Sequence, residues 1–152
     1  MRNWGVVLKT PSEIEAMKEA GRLSAKVLRL VGEQVKPGVS TLELDRFAEE
    51  VIRSEGGIPA FKGYGSFPGS ICASVNDQIV HGIPSKDVIL CDGDILSVDT
   101  GATVDGWVGD NAWTFPVGKI SEEKKRLLDV TEKCMWSGLD AARAGNHLGD
   151  IG

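Results

Sequence analysis

The stretch V-D-T-G-A-T-V-D-G-W-V-G-D-N-A-W-T-F, Val98 to Phe115, decides the fold. Apolar and polar or small residues alternate along it, the period of a half-buried strand. Asp105-Gly106 sits at its middle, and Asp-Gly between alternating runs is hairpin chemistry, because both loop residues adopt positive φ. Two long strands are therefore predicted, I-L-S-V-D-T-G-A-T-V before the turn and W-V-G-D-N-A-W-T-F-P-V-G after it. In that register Gly101 faces Asp110, and Asp99 lies two residues further along the same face. Diagonal neighbours of this kind are roughly 7–8 Å apart, within reach of converging side chains. The opposite face of the first strand carries Leu96, Val98, Ala102 and Val104 and reads as core. The face with Ser97, Asp99, Gly101 and Thr103 reads as a candidate site. Asp105 is assigned to the turn.

Strands are depleted in aspartate. Two adjacent carboxylates repel unless a proton or a cation lies between them. An oxygen-ligated divalent metal is one resolution. Solvation on an exposed sheet face is the other, and spacing alone leaves both open.

Upstream, T-P-S-E at 10–13 is a capping box with proline in the first turn. Ile14, Met17, Ala20, Ser24, Val27, Leu28 and Val31 follow at helical spacing, and K-P-G at 36–38 ends the helix. S-T-L-E at 40–43 starts a second helix with Leu44, Phe47, Ala48, Val51 and Ile52 on its apolar face, stopped by Gly56-Gly57. P-A-F-K-G-Y-G-S-F-P-G-S reads as loop, I-C-A-S-V as a short strand, Asn76-Asp77 as a turn and Q-I-V-H as another short strand. C-D-G-D at 91–94 turns the chain into the hairpin. A last helix is predicted from about Ser121 to Ala144, with Leu127, Leu128, Thr131, Met135 and Leu139 on one face and Gly145-Asn146 at its end. The order gives an α+β class, an antiparallel sheet with helices packed on one face, in a single domain over residues 1–152.

Composition narrows the function classes. The 152 residues are 41% hydrophobic and 26% charged, ordinary for a globular domain with a real core. A net charge of −5 gives no general attraction for nucleic acid or an anionic membrane, so neither is expected as a partner. No apolar run is long enough to span a bilayer, and M-R-N-W-G-V-V-L-K-T lacks the apolar core of a secretory leader. Cys72, Cys91 and Cys134, odd in number and scattered, predict reduced thiols in a cytoplasmic protein.

D-T-G-A-T-V-D-G-W-V-G-D-N-A-W-T-F resembles the first metal-ligand motif of type I methionine aminopeptidases. F-K-G-Y-G-S-F-P-G-S-I-C-A-S-V-N-D-Q-I-V-H-G-I-P, residues 61–84, is similar to the same family and more specific to it. The likeness runs through the N-terminal helices and V-G-K-I-S-E-E-K-K-R-L-L and covers nearly the whole chain. It implies half of a pita-bread fold and removal of the initiator methionine from new proteins. It also implies two divalent ions (Co, Mn, Fe or Zn), with Asp99 chelating one and Asp110 bridging both. By the same resemblance, His81 contacts substrate near the scissile bond as a catalytic residue. Phe61, Tyr64, Phe67 and Cys72 line the methionine pocket, and Asn76 helps hold a monovalent cation.

The chain also departs from the family pattern. The family's remaining ligands, a histidine and two glutamates, belong to a second half that would follow Gly152, and His147 has no motif that makes it a substitute. Val108 stands where histidine is common, Trp113 where a basic residue is common, and Trp107 replaces a tyrosine or phenylalanine. Incomplete or weak metal binding is expected, and little or no activity from this chain alone. Uncovered apolar surface is expected to seek a second copy or the missing C-terminal half. Two other readings remain: a non-catalytic or engineered half-fold that self-associates or binds a partner, and another pita-bread peptidase such as a proline-specific one. The F-K-G-Y and H-G-I-P segments argue against the last.

Overall fold

A computed structural model describes Gly5 and residues 7–152. The reading of residues 1–10 as lacking a leader falls partly outside the described residues. Three helices and four strands run in the order α1 (Pro11–Gln34), α2 (Thr41–Ser54), β1 (Ile58–Pro59), β2 (Ile71–Val75), β3 (Ile95–Val104), β4 (Trp107–Pro116) and α3 (Glu122–Ala141).

Both capping boxes form as the sequence predicts. Thr10 and Ser40 each accept from the amide of the residue three positions on, Glu13 and Glu43, whose carboxylates reach back to the cap amides at 2.7 and 2.8 Å. Those bonds hold both glutamates below the usual carboxylate range. The hairpin also forms in the expected register, with Gly101 opposite Asp110 and Asp99 opposite Ala112. Asp105 and Gly106 both have positive φ, +48° and +82°, as a type I′ turn requires.

β3 is the spine of the sheet. β4 pairs along its full length, while β1 and β2 pair antiparallel with its two ends, so they share its other edge. Leu96, Val98, Thr100 and Ala102 point to one face and are fully buried. There they join Ile71 and Ala73 from β2, Val27 and Val31 from α1, and Leu44, Ala48 and Ile52 from α2.

Glycine sets how close α1 lies. A Cβ on Gly109 would stand 2.2 Å from the Ala20 carbonyl oxygen, so helix and strand meet backbone to backbone there. Ser24 Oγ donates to the Thr100 carbonyl at 2.8 Å at the same crossing. From α2, the buried Asp45 accepts the Ser70 and Ile71 amides at 2.6 and 3.0 Å and fixes the start of β2.

Two elements differ from the sequence reading. Gln78–His81 is not a strand. Val80 and His81 adopt left-handed φ of +45° and +53°, which no ladder accommodates. The helix α3 ends at Ala141, not Ala144, and the packing of helices on one face holds for α1 and α2 only. None of the α3 residues is buried, and Leu127, Val130, Trp136 and Leu139 are each about half exposed.

Candidate metal centre

The open face of the sheet carries the predicted pair. β2, β3 and β4 place Cys72, Asp99 and Ala112 side by side across three strands, with Gly101 and Asp110 in the next row. Asp99 is mostly buried and Asp110 is exposed. Burial, with the charge and carboxyl of Asp110 beside it, pushes the Asp99 carboxyl up to about 6. His81 opposes part of that rise. Asp99 Oδ1 is buried with no hydrogen-bond partner. A buried carboxylate oxygen without a donor is costly unless something outside the chain meets it.

Glycine again makes the geometry possible. A Cβ at position 101 would fall 2.7 Å from Cε1 of Phe61. The absence of that carbon lets the Phe61 ring lie over the strand beside the carboxylates. Ala60 donates its amide to the Gly101 carbonyl at 2.9 Å and anchors the approach. Cys72 is 5% exposed. Burial, then the charges of Asp99 and Asp110, push its thiol up to about 11, with the His81 backbone offsetting part of the rise. Its sulfur is therefore a neutral, apolar wall at physiological pH.

Asp99, Asp110, Cys72 and Phe61 thus lie together on this face, and His81 precedes Gly82, whose carbonyl accepts the amide of Ala73, next to Cys72, at 2.9 Å. Tyr64 lies on the short turn Tyr64–Ser66 and is 81% exposed, and Phe67 follows it half-buried. The Asn76 side chain is engaged in protein contacts. Its Nδ2 donates to Asp94 at 2.8 Å, and its Oδ1 accepts from Lys124 Nζ at 2.8 Å and from the Ile95 amide at 3.2 Å. Lys124 Nζ also donates to the Gly93 carbonyl at 2.7 Å. His147 is exposed beside Asp150 near the C-terminus, with its amide on that carboxylate at 2.7 Å.

Sequence reasoning missed Ser74 and Gly82, which hold the turn that carries His81. Gly82 was legible only as a strand stop. The close approach of Gly82 to β2 depends on a tertiary contact that local spacing does not encode.

Two carboxylates and an orphaned oxygen suit a divalent cation by donor chemistry. Among the described residues no group of three or more His, Cys, Asp or Glu side chains converges as a metal cage. No described helix is long and apolar enough to cross a membrane, and all three cysteines are free.

Residues 15–152 match the sequence profile of metallopeptidase family M24. The chain is similar to methionine aminopeptidase 1 of Bacillus subtilis, 51% identical over 146 residues, which are 96% of this chain and 58% of that protein. Its structure resembles that of methionine aminopeptidase from Rickettsia prowazekii, with a TM-score of 0.94, 38% identity, and coverage of 97% of this chain and 59% of that one. The prolidase of Pyrococcus furiosus, at 19% identity and a TM-score of 0.83, shares the fold alone. The chain spans somewhat more than half the length of the relatives it matches, as half of a pita-bread unit does.

Proposed function

The chain belongs to metallopeptidase family M24, and from that membership we propose that it carries the first half of the active site of a methionine aminopeptidase. The observation that carries the reading is the convergence of Asp99 and Asp110 over Gly101, with Asp99 Oδ1 left without a partner. Asp99 and Asp110 would hold divalent metal, and Co, Mn, Fe and Zn all accept such oxygens. When bound, a metal pair of this kind supplies Lewis acidity and a water made acidic enough to attack a peptide carbonyl.

The chain's own residues have simpler tasks. His81 would contact the peptide beside the carboxylates. Phe61 and Cys72 would offer an apolar wall to a thioether side chain, with Tyr64 and Phe67 as further lining residues from the loop that follows Phe61. Asn76 would help hold a monovalent cation beside the site. The substrate class is a peptide with N-terminal methionine, and the compartment is the cytoplasm, in keeping with the free thiols.

Isothermal titration with Mn²⁺ tests the reading. Binding to the chain that disappears in Asp99→Ala supports it, and equal heats from both proteins reject it. Turnover of a Met-Gly peptide at full enzymatic rate by the chain alone would reject the view that the site is partial.

A second reading rests on α3. Its half-exposed Leu127, Met135 and Leu139 form an apolar face of the kind that marks an interface. The rest of a catalytic unit, or a second copy of the chain, would cover it. Size-exclusion chromatography with light scattering tests the second copy: association that grows with concentration supports it, and a clean monomer at high concentration excludes it.

A further inference from the structure

We propose that Ser74 is the positioning residue for His81: its buried hydroxyl clamps the strained Val80–His81 turn onto β2 and holds His81 alongside Cys72, the β2 neighbour of Asp99. The turn needs a clamp. Val80 and His81 both have left-handed φ, +45° and +53°. Such conformations are costly and persist only where the surroundings impose them. A β-branched valine is among the least tolerant residues there.

Side-chain packing does not impose this one. Ile79, Val80 and Ile83 are 87%, 61% and 58% exposed. What holds the turn is the next residue. Gly82 is buried, donates its amide to Ser74 Oγ at 3.0 Å and accepts the Ala73 amide at 2.9 Å. A Cβ on Gly82 would stand 2.3 Å from the Ala73 carbonyl oxygen, so only glycine fits that closely. Ser74 is itself 3% exposed and lies two residues from Cys72 on the same face of β2. One short strand thus supplies the wall beside Asp99 and the hook that holds His81 alongside that wall.

The relevance of the clamp to catalysis rests on the metallopeptidase reading, but its existence does not. All readouts therefore use the metal-free chain, so either idea can fail while the other stands. The chain has two histidines, His81 and His147, and the exposed His147 serves as an internal control. In Ser74→Ala, the His81 ring resonances should move and sharpen towards free-histidine positions while those of His147 stay in place. Ser74→Thr, which keeps the hydroxyl, should restore them. Ser97→Ala, which removes the hydroxyl facing Ser74 on β3, should leave them unchanged. Exchange of the Gly82 amide should speed up about tenfold in Ser74→Ala, the effect of one lost hydrogen bond. Wild-type His81 resonances in a folded Ser74→Ala chain would overturn the proposal. Should that variant unfold, the unmodified chain decides: a Gly82 amide as protected as its β2 neighbours supports the clamp, and one exchanging at free-peptide rate refutes it.

Discussion

The two faces of the β3–β4 hairpin are made from alternate residues of the same strands and obey opposite rules. One face packs Leu96, Val98, Thr100 and Ala102 against α1 and α2, and every one of them is excluded from water. The other carries Asp99 and Asp110, one of them with an oxygen that nothing among the described residues satisfies. The first face stabilises the domain. The second spends part of that stability on two carboxylates that would be better apart. Glycine serves both, since Gly109 admits the backbone of α1 and Gly101 admits the ring of Phe61.

The contrast can be broken most severely at Gly109. Gly109→Ala drives a Cβ into the Ala20 backbone, where no side chain can yield. The helix must move, and a loss of about 3 kcal/mol or more is expected, read as loss of the cooperative thermal transition. Leu96→Ala, at a fully buried site, should cost roughly 2–5 kcal/mol by chemical denaturation while leaving the carboxylate face in place.

On the open face the sign reverses. The Asp99 carboxyl is raised from 3.8 to about 6 in the folded chain. Its contribution is thus fully present below the unfolded value and is lost as pH rises through about 6. Metal-free protein should lose stability between about pH 4 and pH 6 from this group. Asp99→Asn removes that loss. The full shift discounted for partial exposure leaves a gain of roughly 1 kcal/mol at pH 7 that vanishes near pH 4. The same variant should bind no divalent metal. A variant less stable than the parent at pH 7 would show that the carboxylate pair is not strained.

Much of this contrast is written in the sequence. Asp105-Gly106 fixes the register, the register fixes which residues share a face, and T-P-S-E and S-T-L-E fix where the long helices begin. The pairing of Asp99 with Asp110 followed from those local rules. The turn that carries His81 did not. Q-I-V-H has strand composition, and only its docking through Gly82 onto β2 forces Val80 and His81 out of the β region. The enclosure of Asp99 by Phe61 was equally hidden, because it depends on a loop crossing a glycine some forty positions away in the chain. The third helix misled in another way. Its apolar spacing is real, but periodicity says that a face will be buried, not that this stretch of chain supplies the cover.

That last point gives the smallest expected effect and the sharpest contrast with the core face. Leu139→Ser on α3 replaces an apolar residue that is 61% exposed. In Leu96 the same loss of apolar surface opens a cavity, whereas at Leu139 there is little packing to lose. The stability of the isolated chain should change by no more than about 0.5 kcal/mol, while any concentration-dependent association seen by light scattering should weaken. Equal destabilisation at both leucines would mean that α3 is packed in solution. An unchanged association with unchanged stability would remove α3 from the interface and leave the open sheet face, where Val108 is 52% exposed, as the surface that seeks a partner.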